Sequence, residues 1–308
     1  MWKEEQMKKQ KPLTLLIFLG PMLLIFLGLN VYPIVKTVAM SFFHIKGITD
    51  PVSKWKFTGL WNYNKLLHTS LFQRSLLNMG KIWLYGGLAI ITLSLLFAVM
   101  LTRNIRFKRF FKTVIYLPYI VSAVALSAMW LQYVYNPQFG LLKKLFTALH
   151  LDGLASTPWT DADHKFMSMM VAYCFGMIGY FMLIWFSGIT RISPELKEAA
   201  RIDGASRLQA DRYITLPLLK GIFKTILTMW TISVAGFFTW SQLFSTDGAE
   251  LSTITPTVYM YSLIYGTGGT TDDRQAGMGA AVGIILSICT VIVFMLCNRL
   301  IKEEDLEM

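Results

Sequence analysis

The residues whose types and spacing could do chemistry are concentrated in one charged segment, KEAARIDGASRLQADRYITLPLLKG, Lys197–Gly221. Glu198 precedes Ala199 and Ala200, and Asp203 precedes Gly204. Carboxylates beside small residues can pair with cations while another backbone approaches closely, whereas a face built mostly from alanine contributes little to insertion into lipid. The pattern favours protein docking, and an amphipathic helix lying among lipid headgroups is the alternative.

Two short helices bent at a glycine are predicted to position these side chains. Ser193 suits the N-cap and Pro194 the first helical position. The helix-permissive run Glu195–Asp203 ends at Gly204, and a second run, Ala205–Leu216, follows it. We therefore expect a bent helix pair.

The sequence contains no pattern typical of a catalytic, metal or nucleotide site. The four histidines are scattered, and none belongs to an HExxH pattern. The glycine-rich run Gly266–Asp273, GTGGTTDD, lacks the Lys-Ser/Thr pair of a phosphate-binding loop. We therefore expect no enzyme activity, catalytic residue, metal or cofactor in this chain, so the energy for any work must come from another molecule.

The charged segment lies between two of six uncharged windows, each long enough to cross a membrane. Hydrophobic residues make up 54% of the chain and charged residues 15%, with a mean hydropathy of +0.49. A hydrocarbon core of about 30 Å requires roughly 20 helical residues, and helices satisfy every backbone polar group in lipid. We predict an all-α membrane protein with six transmembrane helices and the charged segment between the fourth and the fifth. The windows are Pro12–Val35, Ile82–Thr102, Thr113–Leu142, Phe166–Thr190, Thr225–Thr246 and Gln275–Asn298.

The distribution of lysine and arginine predicts the orientation of the chain. The two tails and the second and fourth loops contain roughly twice as many cations as the other loops, and cation-rich short loops stay cytoplasmic. Both termini are therefore predicted to be cytoplasmic. Anionic lipid beside these loops accounts for the net charge of +11, so no nucleic-acid partner is implied.

Aromatic faces on the fourth and fifth windows are candidates for a solute pathway. None of the six windows carries a charge, which suits a neutral, hydroxyl-rich solute better than an ion. Aromatic rings stack on the apolar faces of sugars, and hydroxyl groups exchange hydrogen bonds with them. Ordinary helix packing is the alternative for each residue. The candidates are Tyr173, Phe175, Tyr180, Trp230, Ser233 and Phe237.

The spacing within the charged segment resembles the EAA motif of ABC importer permeases. Glu198-Ala199-Ala200, three residues, Gly204, nine residues, Ile214, one residue and Leu216-Pro217 match EAA-x3-G-x9-I-x-LP. In that family the loop is a pair of coupling helices seated in a groove of a cytoplasmic ATPase. The resemblance implies a type I ABC importer permease fold, with ATP and Mg²⁺ bound by the partner ATPase.

The same resemblance assigns a role to each residue of the motif. It implies that Glu198 pairs with the ATPase and that Gly204 makes the bend. The residue pattern by itself already places Asp203 on the rim of the contact. Close contact is then made by Ala199 and Ala200, and the return into the membrane is fixed by Ile214, Leu216 and Pro217.

Three further segments resemble the sugar-transporting branch of that family, including multiple-sugar permeases and the larger maltose-permease subunit. They are FTGLWNYNKLL (Phe57–Leu67), YLPYIVSAVALSAMWLQYVYNPQFGLLKKL (Tyr116–Leu145) and TPTVYMYSLIY (Thr255–Tyr265). The large outer insertion and the extra N-terminal spans of the maltose subunit are absent. A binding protein would therefore dock on the shorter loops Phe42–Arg74, Asn136–Lys165 and Asp247–Arg274.

The combined prediction is a sugar importer permease in a bacterial-type cell membrane. Its partners are a second permease, two cytoplasmic ATPase subunits, an extracytoplasmic solute-binding protein, a carbohydrate and membrane lipid. The predicted parts are a cytoplasmic tail over residues 1–11, a permease domain over 12–300 with a coupling loop at 191–221, and a cytoplasmic tail over 301–308. An ion-coupled secondary carrier and a non-transporting scaffold or sensor that docks an ATPase are the alternatives.

Overall fold

Helices dominate the computed structural model, which describes residues 12–103, 105–245, 250–266 and 274–301. One short antiparallel pair, β1 (Phe43–His44) and β2 (Lys56–Phe57), interrupts them. The helices in chain order are α1 (Pro12–Phe26), α2 (Tyr32–Ser41), α3 (Trp61–Leu67), α4 (Ser70–Lys81), α5 (Gly87–Thr102), α6 (Lys108–Ile120), α7 (Ala123–Met129), α8 (Leu141–Ala148), α9 (Asp152–Ala155), α10 (Lys165–Arg191), α11 (Pro194–Ile202), α12 (Arg207–Ala210), α13 (Leu216–Leu218), α14 (Lys220–Ala235), α15 (Thr239–Phe244), α16 (Pro256–Tyr265) and α17 (Ala276–Leu300).

Four helices within the described ranges are long and apolar enough to cross a membrane. They run over Ile17–Ser41, Ser70–Thr102, Lys165–Arg191 and Ala276–Leu300. Two bent pairs also qualify when each is counted as one span, Lys108–Ile120 with Ala123–Val134 and Arg207–Leu218 with Lys220–Ala235. The structure therefore confirms a helical membrane protein with four to six candidate spans.

The third and fifth spans end earlier than the predicted windows because the helix breaks, after Ile120 in the third and after Ala235 in the fifth. The break after Ala235 is separate from the bend between Leu218 and Lys220. The third bends by 99° after Ile120, where the Ser122 hydroxyl accepts a hydrogen bond from the Ala125 N–H at 3.3 Å, and it ends at Val134 instead of Leu142. In the fifth, α14 ends at Ala235, eleven residues before the predicted Thr246. Polar side chains that accept or donate hydrogen bonds can satisfy such breaks, and a hydropathy profile does not show these contacts.

Hydroxyl groups before and within α16 stabilise the break in the fifth span. The Phe237 carbonyl, which follows α14, accepts hydrogen bonds from the Thr255 hydroxyl at 2.8 Å and the Thr257 hydroxyl at 2.9 Å. A carbonyl released from a helical ladder needs such partners when it is buried. The break is therefore a stable part of the fold.

Helix α10 lies at the centre of the bundle and packs against α5, α6 and α14. Trp230 of α14 is fully buried, and its indole N–H donates to the Trp83 carbonyl at 2.9 Å. Trp83 in turn donates to the Thr231 hydroxyl at 3.0 Å. A Cβ added at Gly87 would lie 2.5 Å from Nε1 of Trp230, so this glycine makes room for the indole.

Polar contacts join the elements at the end of the bundle where α10 begins. Lys165 Nζ lies 2.7 Å from a carboxylate oxygen of Glu250, and both side chains are mostly buried. Asn78 donates to the Ile254 carbonyl at 3.0 Å, and Asn62 donates to the Ser41 carbonyl at 2.8 Å. These contacts tie the segment between α2 and α4 and the segment after α15 to the long helices.

Candidate functional site

The first helix of the charged segment begins at a capped N-terminus. The Ser193 hydroxyl accepts a hydrogen bond from the Glu195 N–H at 3.3 Å, and Pro194 occupies the first helical position. A capped start with an acid in the first turn complements the positive end of the helix dipole. Helix α11 therefore begins directly after α10.

Gly204 ends α11 in a left-handed turn with φ of +83°. The Ala205 N–H donates to the Ala200 carbonyl at 2.8 Å, and the Gly204 N–H donates to the Arg201 carbonyl at 3.1 Å. This pair of bonds is the Schellman arrangement, which requires a residue that tolerates positive φ. The bend predicted at Gly204 is present in the structure.

The second helical stretch starts with a capping box and continues to Leu218. The Gln209 N–H donates to the Ser206 hydroxyl at 3.3 Å, and the Ser206 N–H donates to the Gln209 side chain at 2.7 Å. The axis then bends by 65° between Leu218 and Lys220. Pro217 lies inside the final turn, so the second stretch ends two residues beyond the predicted Leu216. Helix α14 then begins at Lys220, within the predicted loop 191–221.

The residues that anchor this segment to the bundle are only partly those of the motif. Ala200 is buried with 9% exposure, so it lies on the side of α11 that faces the chain itself. Thr215 is fully buried, and Leu219 lies close to Gly188 of α10, where an added Cβ would be 3.1 Å from its Cδ2. Pro217 is exposed. Burial of Thr215 and Leu219 therefore holds the return into α14, and neither residue belongs to the motif.

The solvent-facing side of the segment combines charge with large apolar side chains. Glu198, Ala199 and Asp203 are exposed, as is Gly204 at the bend. Ile202 is 86% exposed. The other large exposed apolar or aromatic side chains of the segment are Leu208, Tyr213 and the motif residue Leu216, while the motif residue Ile214 is half-buried. Several highly exposed apolar side chains on one short polar segment are compatible with a surface that another protein covers. We call Glu198, Ala199, Ile202, Asp203 and Leu208 the docking face.

An ion pair that the sequence patterns did not indicate connects the segment to the end of α5. Arg103 lies 3.2 Å from Asp211, and their side chains are 45% and 26% exposed. The Thr215 hydroxyl lies 3.5 Å from the same carboxylate. Arg103 and Asp211 are far apart in the sequence, so no local spacing rule could have paired them.

The structure divides the six pathway candidates into two groups. Tyr173, Trp230 and Phe237 are buried among one another, with ring centroids 4.7 Å apart for Tyr173 and Phe237. These three pack α10 against α14 and the residue that follows its end, and their side chains are closed to solvent in this conformation. Phe175 is exposed, and Tyr180 and Ser233 are half-buried.

A pair of stacked tyrosines lies beside the second group. Tyr180 stacks on Tyr119 of α6 with centroids 4.7 Å apart, and its hydroxyl lies 3.2 Å from the sulfur of Met229. Ser233 donates to the Met229 carbonyl at 2.9 Å, one turn along the same helix. Sequence reasoning missed Tyr119, although its spacing from Tyr116 could have indicated an aromatic face on the third span.

Acidic and imidazole side chains form no metal-binding group in the part of the chain that the structure describes. His164 instead donates from Nδ1 to Asp161 at 2.7 Å. This hydrogen bond lowers the pKa of the Asp161 carboxyl. The glycine-rich run discussed above lies outside the described residues except for Gly266.

Comparison with known proteins gives a family match over most of the chain. A family model described as "Binding-protein-dependent transport system inner membrane component" matches residues 90–303, which include the whole charged segment. A probable ABC transporter permease protein of Pyrococcus horikoshii is 30% identical over 91% of this chain and 92% of that protein. The diacetylchitobiose uptake system permease protein NgcF of Streptomyces coelicolor is 27% identical over 92% of this chain and 82% of that protein.

Solved structures with the same fold include a chain of a bacterial ABC transporter involved in the import of the acidic polysaccharide alginate. The TM-score is 0.79 at 19% identity, and the match covers 97% of both chains. A chain of a bacterial alginate ABC transporter in complex with an alginate pentasaccharide-bound periplasmic protein gives a TM-score of 0.76 at 20% identity. At this level of identity the likeness concerns the fold alone.

Proposed function

The chain belongs to the family of binding-protein-dependent transport system inner membrane components, and from this premise we propose that it is the permease subunit of an ATP-driven sugar or oligosaccharide importer. It is a transport subunit, and in this family ATP is hydrolysed by a separate nucleotide-binding subunit. The observation that carries the proposal is the bent helix pair between α10 and α14, whose docking face is exposed and lies inside the family match.

The substrate class rests on the relatives. The diacetylchitobiose permease of Streptomyces coelicolor is joined by the arabinooligosaccharides transport system permease protein AraP of Bacillus subtilis, which is 27% identical over 92% of this chain. The absence of charged residues from the six predicted windows is compatible with a neutral, hydroxyl-rich solute. We propose that an extracytoplasmic binding protein delivers this solute.

The docking face is proposed to seat one cytoplasmic ATPase subunit, with Glu198 as its charged contact. Glu198 and Ile202 are separated by four residues, so they share one side of α11. A carboxylate beside an exposed aliphatic side chain suits a groove with an apolar floor and a basic rim. Gly204 sets the angle between this contact and α12. ATP and Mg²⁺ would remain on the partner.

A second permease is proposed to cover the first membrane-length helix. None of the most apolar window of Ile17–Ser41 is buried inside this chain. Its C-terminal part, α2, packs on α17, so the helix contacts the rest of the chain at one end and is exposed along the remainder. A subunit that presents one docking face needs such a partner to engage an ATPase dimer. We therefore propose a heterodimer of permeases on two ATPase subunits.

Both termini are proposed to be cytoplasmic, in a bacterial-type cell membrane. This orientation would place the docking face and the tails on the side that holds ATP. The tails 1–11 and 301–308 lie outside the described residues, apart from Ile301. The solute path is proposed to run past Phe175, Tyr180 and Ser233, while Tyr173, Trp230 and Phe237 hold α10 and α14 in register.

The function is tested by purifying the complex from native membrane and measuring its ATPase activity in lipid nanodiscs. We expect an ATPase and a second permease to copurify. Binding protein loaded with the matching oligosaccharide should then stimulate ATP hydrolysis, and empty binding protein should not. A chain that purifies alone and moves solute on an ion gradient would contradict the proposal. A complex that binds the ATPase and moves no solute would identify a scaffold.

Substitution of Glu198 tests whether this residue couples ATP hydrolysis to transport without being needed for assembly of the complex. Glu198→Gln removes one charge and keeps the volume, and loss of a hydrogen bond to a charged partner costs about 1.5–3 kcal/mol. We expect stimulated ATPase activity and transport to fall at least about tenfold, because 1.4 kcal/mol corresponds to a factor of ten. Glu195→Gln is the matched control, since Glu195 is also exposed but lies in the first turn of α11, outside the docking face defined above. Equal effects of both substitutions would show that total charge matters and that Glu198 makes no specific contact.

A further inference from the structure

A groove between the end of α5 and the charged segment has features that the docking face does not use. Its volume is about 600 Å³, within the range of ligand sites. Val99, Thr102, Arg103 and Ile105 form one wall. The other wall comes from the charged segment, and its residues are Lys197, Arg201, Arg207, Ala210 and Asp211. The groove therefore joins the last turn of a membrane-length helix to the loop that follows α10.

The groove is strongly cationic. Its lining contains four basic side chains and one carboxylate, and that carboxylate pairs with Arg103. Across the described ranges, no ion pair joins Lys197, Arg201 or Arg207 to an acid. The lining therefore has an excess of three positive charges over negative ones, and such an excess at one cavity attracts an anion.

The shape of the groove combines this charge with an apolar base. Val99 belongs to the apolar helix Ser70–Thr102, and Ile105 follows that helix directly. Both side chains are half-buried, as is Lys197, whereas Arg103, Arg201 and Arg207 are exposed, so the arginines form the rim. A ligand with an anionic head and an apolar tail would place its tail along α5 and its head among the cations. An acidic protein side chain would use only the rim.

The groove and the docking face lie on different sides of α11. Lys197 and Arg201 are four residues apart and share one side, while Glu198 and Ile202 share the next, about 100° around the helix. A ligand in the groove therefore does not compete directly with an ATPase on the docking face. It would instead contact α5 and α11 together and limit their relative movement.

We propose that this groove binds the phosphate headgroup of an anionic phospholipid, such as phosphatidylglycerol, with Lys197, Arg201 and Arg207 as its contacts. The lipid would connect the coupling segment to the membrane surface, so that the angle of α11 depends on the lipid composition. This site depends on the membrane placement of the chain and goes beyond the transport function. Its binding can be measured without ATP or solute.

The test is lipid binding to the purified, delipidated complex, followed by native mass spectrometry. We expect phosphatidylglycerol to bind and phosphatidylcholine, whose phosphate is balanced by choline, to bind much more weakly. Each surface cation contributes about 1 kcal/mol, so Arg201→Gln and Arg207→Gln should each weaken phosphatidylglycerol binding about fivefold. Arg201→Lys should keep most of the affinity. Arg212→Gln, an exposed cation of the same segment outside the groove, is the matched control and should have no effect.

Three results would overturn this inference. Equal binding of both lipids would show that the groove does not distinguish net charge. An equal loss of phosphatidylglycerol binding in Arg201→Gln and Arg212→Gln would show that the lipid is attracted to the positive segment as a whole and not to the groove. Displacement of phosphatidylglycerol by inorganic phosphate at similar concentration would identify a free-anion site that does not use the apolar base. If the unsubstituted complex bound phosphatidylglycerol in this groove but transported no oligosaccharide, the result would count against the proposed function and leave the lipid site standing.

Discussion

Replacement of Gly204 tests whether the angle of the bend controls coupling. Its φ is +83°, and an added Cβ would meet no atom within 4 Å. The cost of Gly204→Ala is therefore conformational, about 1–2 kcal/mol for an L-residue in the left-handed region. A cost of 1.4 kcal/mol changes the population of the bent form about tenfold.

The two hydrogen bonds at the end of α11 set the limits of this effect. They depend on the left-handed turn, so a residue that leaves it also releases the Ala200 and Arg201 carbonyls. Gly204→Asn should cost less than Gly204→Ala, because asparagine visits this region more readily. Gly204→Pro fixes φ near −65° and should abolish the bend. We therefore expect coupling to decrease from glycine through asparagine and alanine to proline at position 204.

The assay is oligosaccharide-stimulated ATPase activity and transport in nanodiscs, with the melting temperature of the whole complex as the measure of global folding. Gly153→Ala is the matched control, because Gly153 also has open space around its Cβ position but has no positive φ. We expect Gly204→Ala to lower coupling by up to about tenfold with little change in melting, since the strain is local. Full coupling in Gly204→Ala, or lower coupling in Gly204→Asn than in Gly204→Ala, would refute the reasoning.

Two further substitutions test the packing and the solute path. Gly87→Ala would place a Cβ 2.5 Å from the buried Trp230 indole, so overpacking should destabilise the complex by about 1–3 kcal/mol and lower its melting temperature. Gly80→Ala is the control, because an added Cβ there meets no atom within 4 Å, and it should not lower the melting temperature. Equal melting of the two variants would show that the indole moves freely. Tyr180→Phe removes one hydroxyl, worth about 0.5–1.5 kcal/mol as a hydrogen bond, so the KM for transport should rise by up to about tenfold while ATPase assembly is unchanged. Tyr133→Phe, at an exposed tyrosine elsewhere, should leave the KM unchanged, and an unchanged KM in Tyr180→Phe would remove that residue from the path.

Local chemistry was enough to predict the helical class and the bent segment. Long uncharged windows leave few ways to satisfy the backbone in lipid, so the membrane helices follow from composition and length. Ser193, Pro194 and Gly204 act on their immediate neighbours, and the structure places the cap and the left-handed turn at those residues. The spacing of the charged segment indicated the family because the motif is contained within one short stretch, and the family match includes it.

Contacts between distant parts of the chain decided the rest. The break after Ala235 depends on hydroxyl groups some twenty residues further along, at Thr255 and Thr257. Trp230 is fully buried and Tyr180 is half-buried, although both lie on aromatic faces with similar helical spacing in the sequence. The spacing shows that a helix has an aromatic face, but it does not show which other helix covers that face. The cationic groove likewise arises only when the end of α5 meets α11, since side chains from separate helices form one site through packing alone.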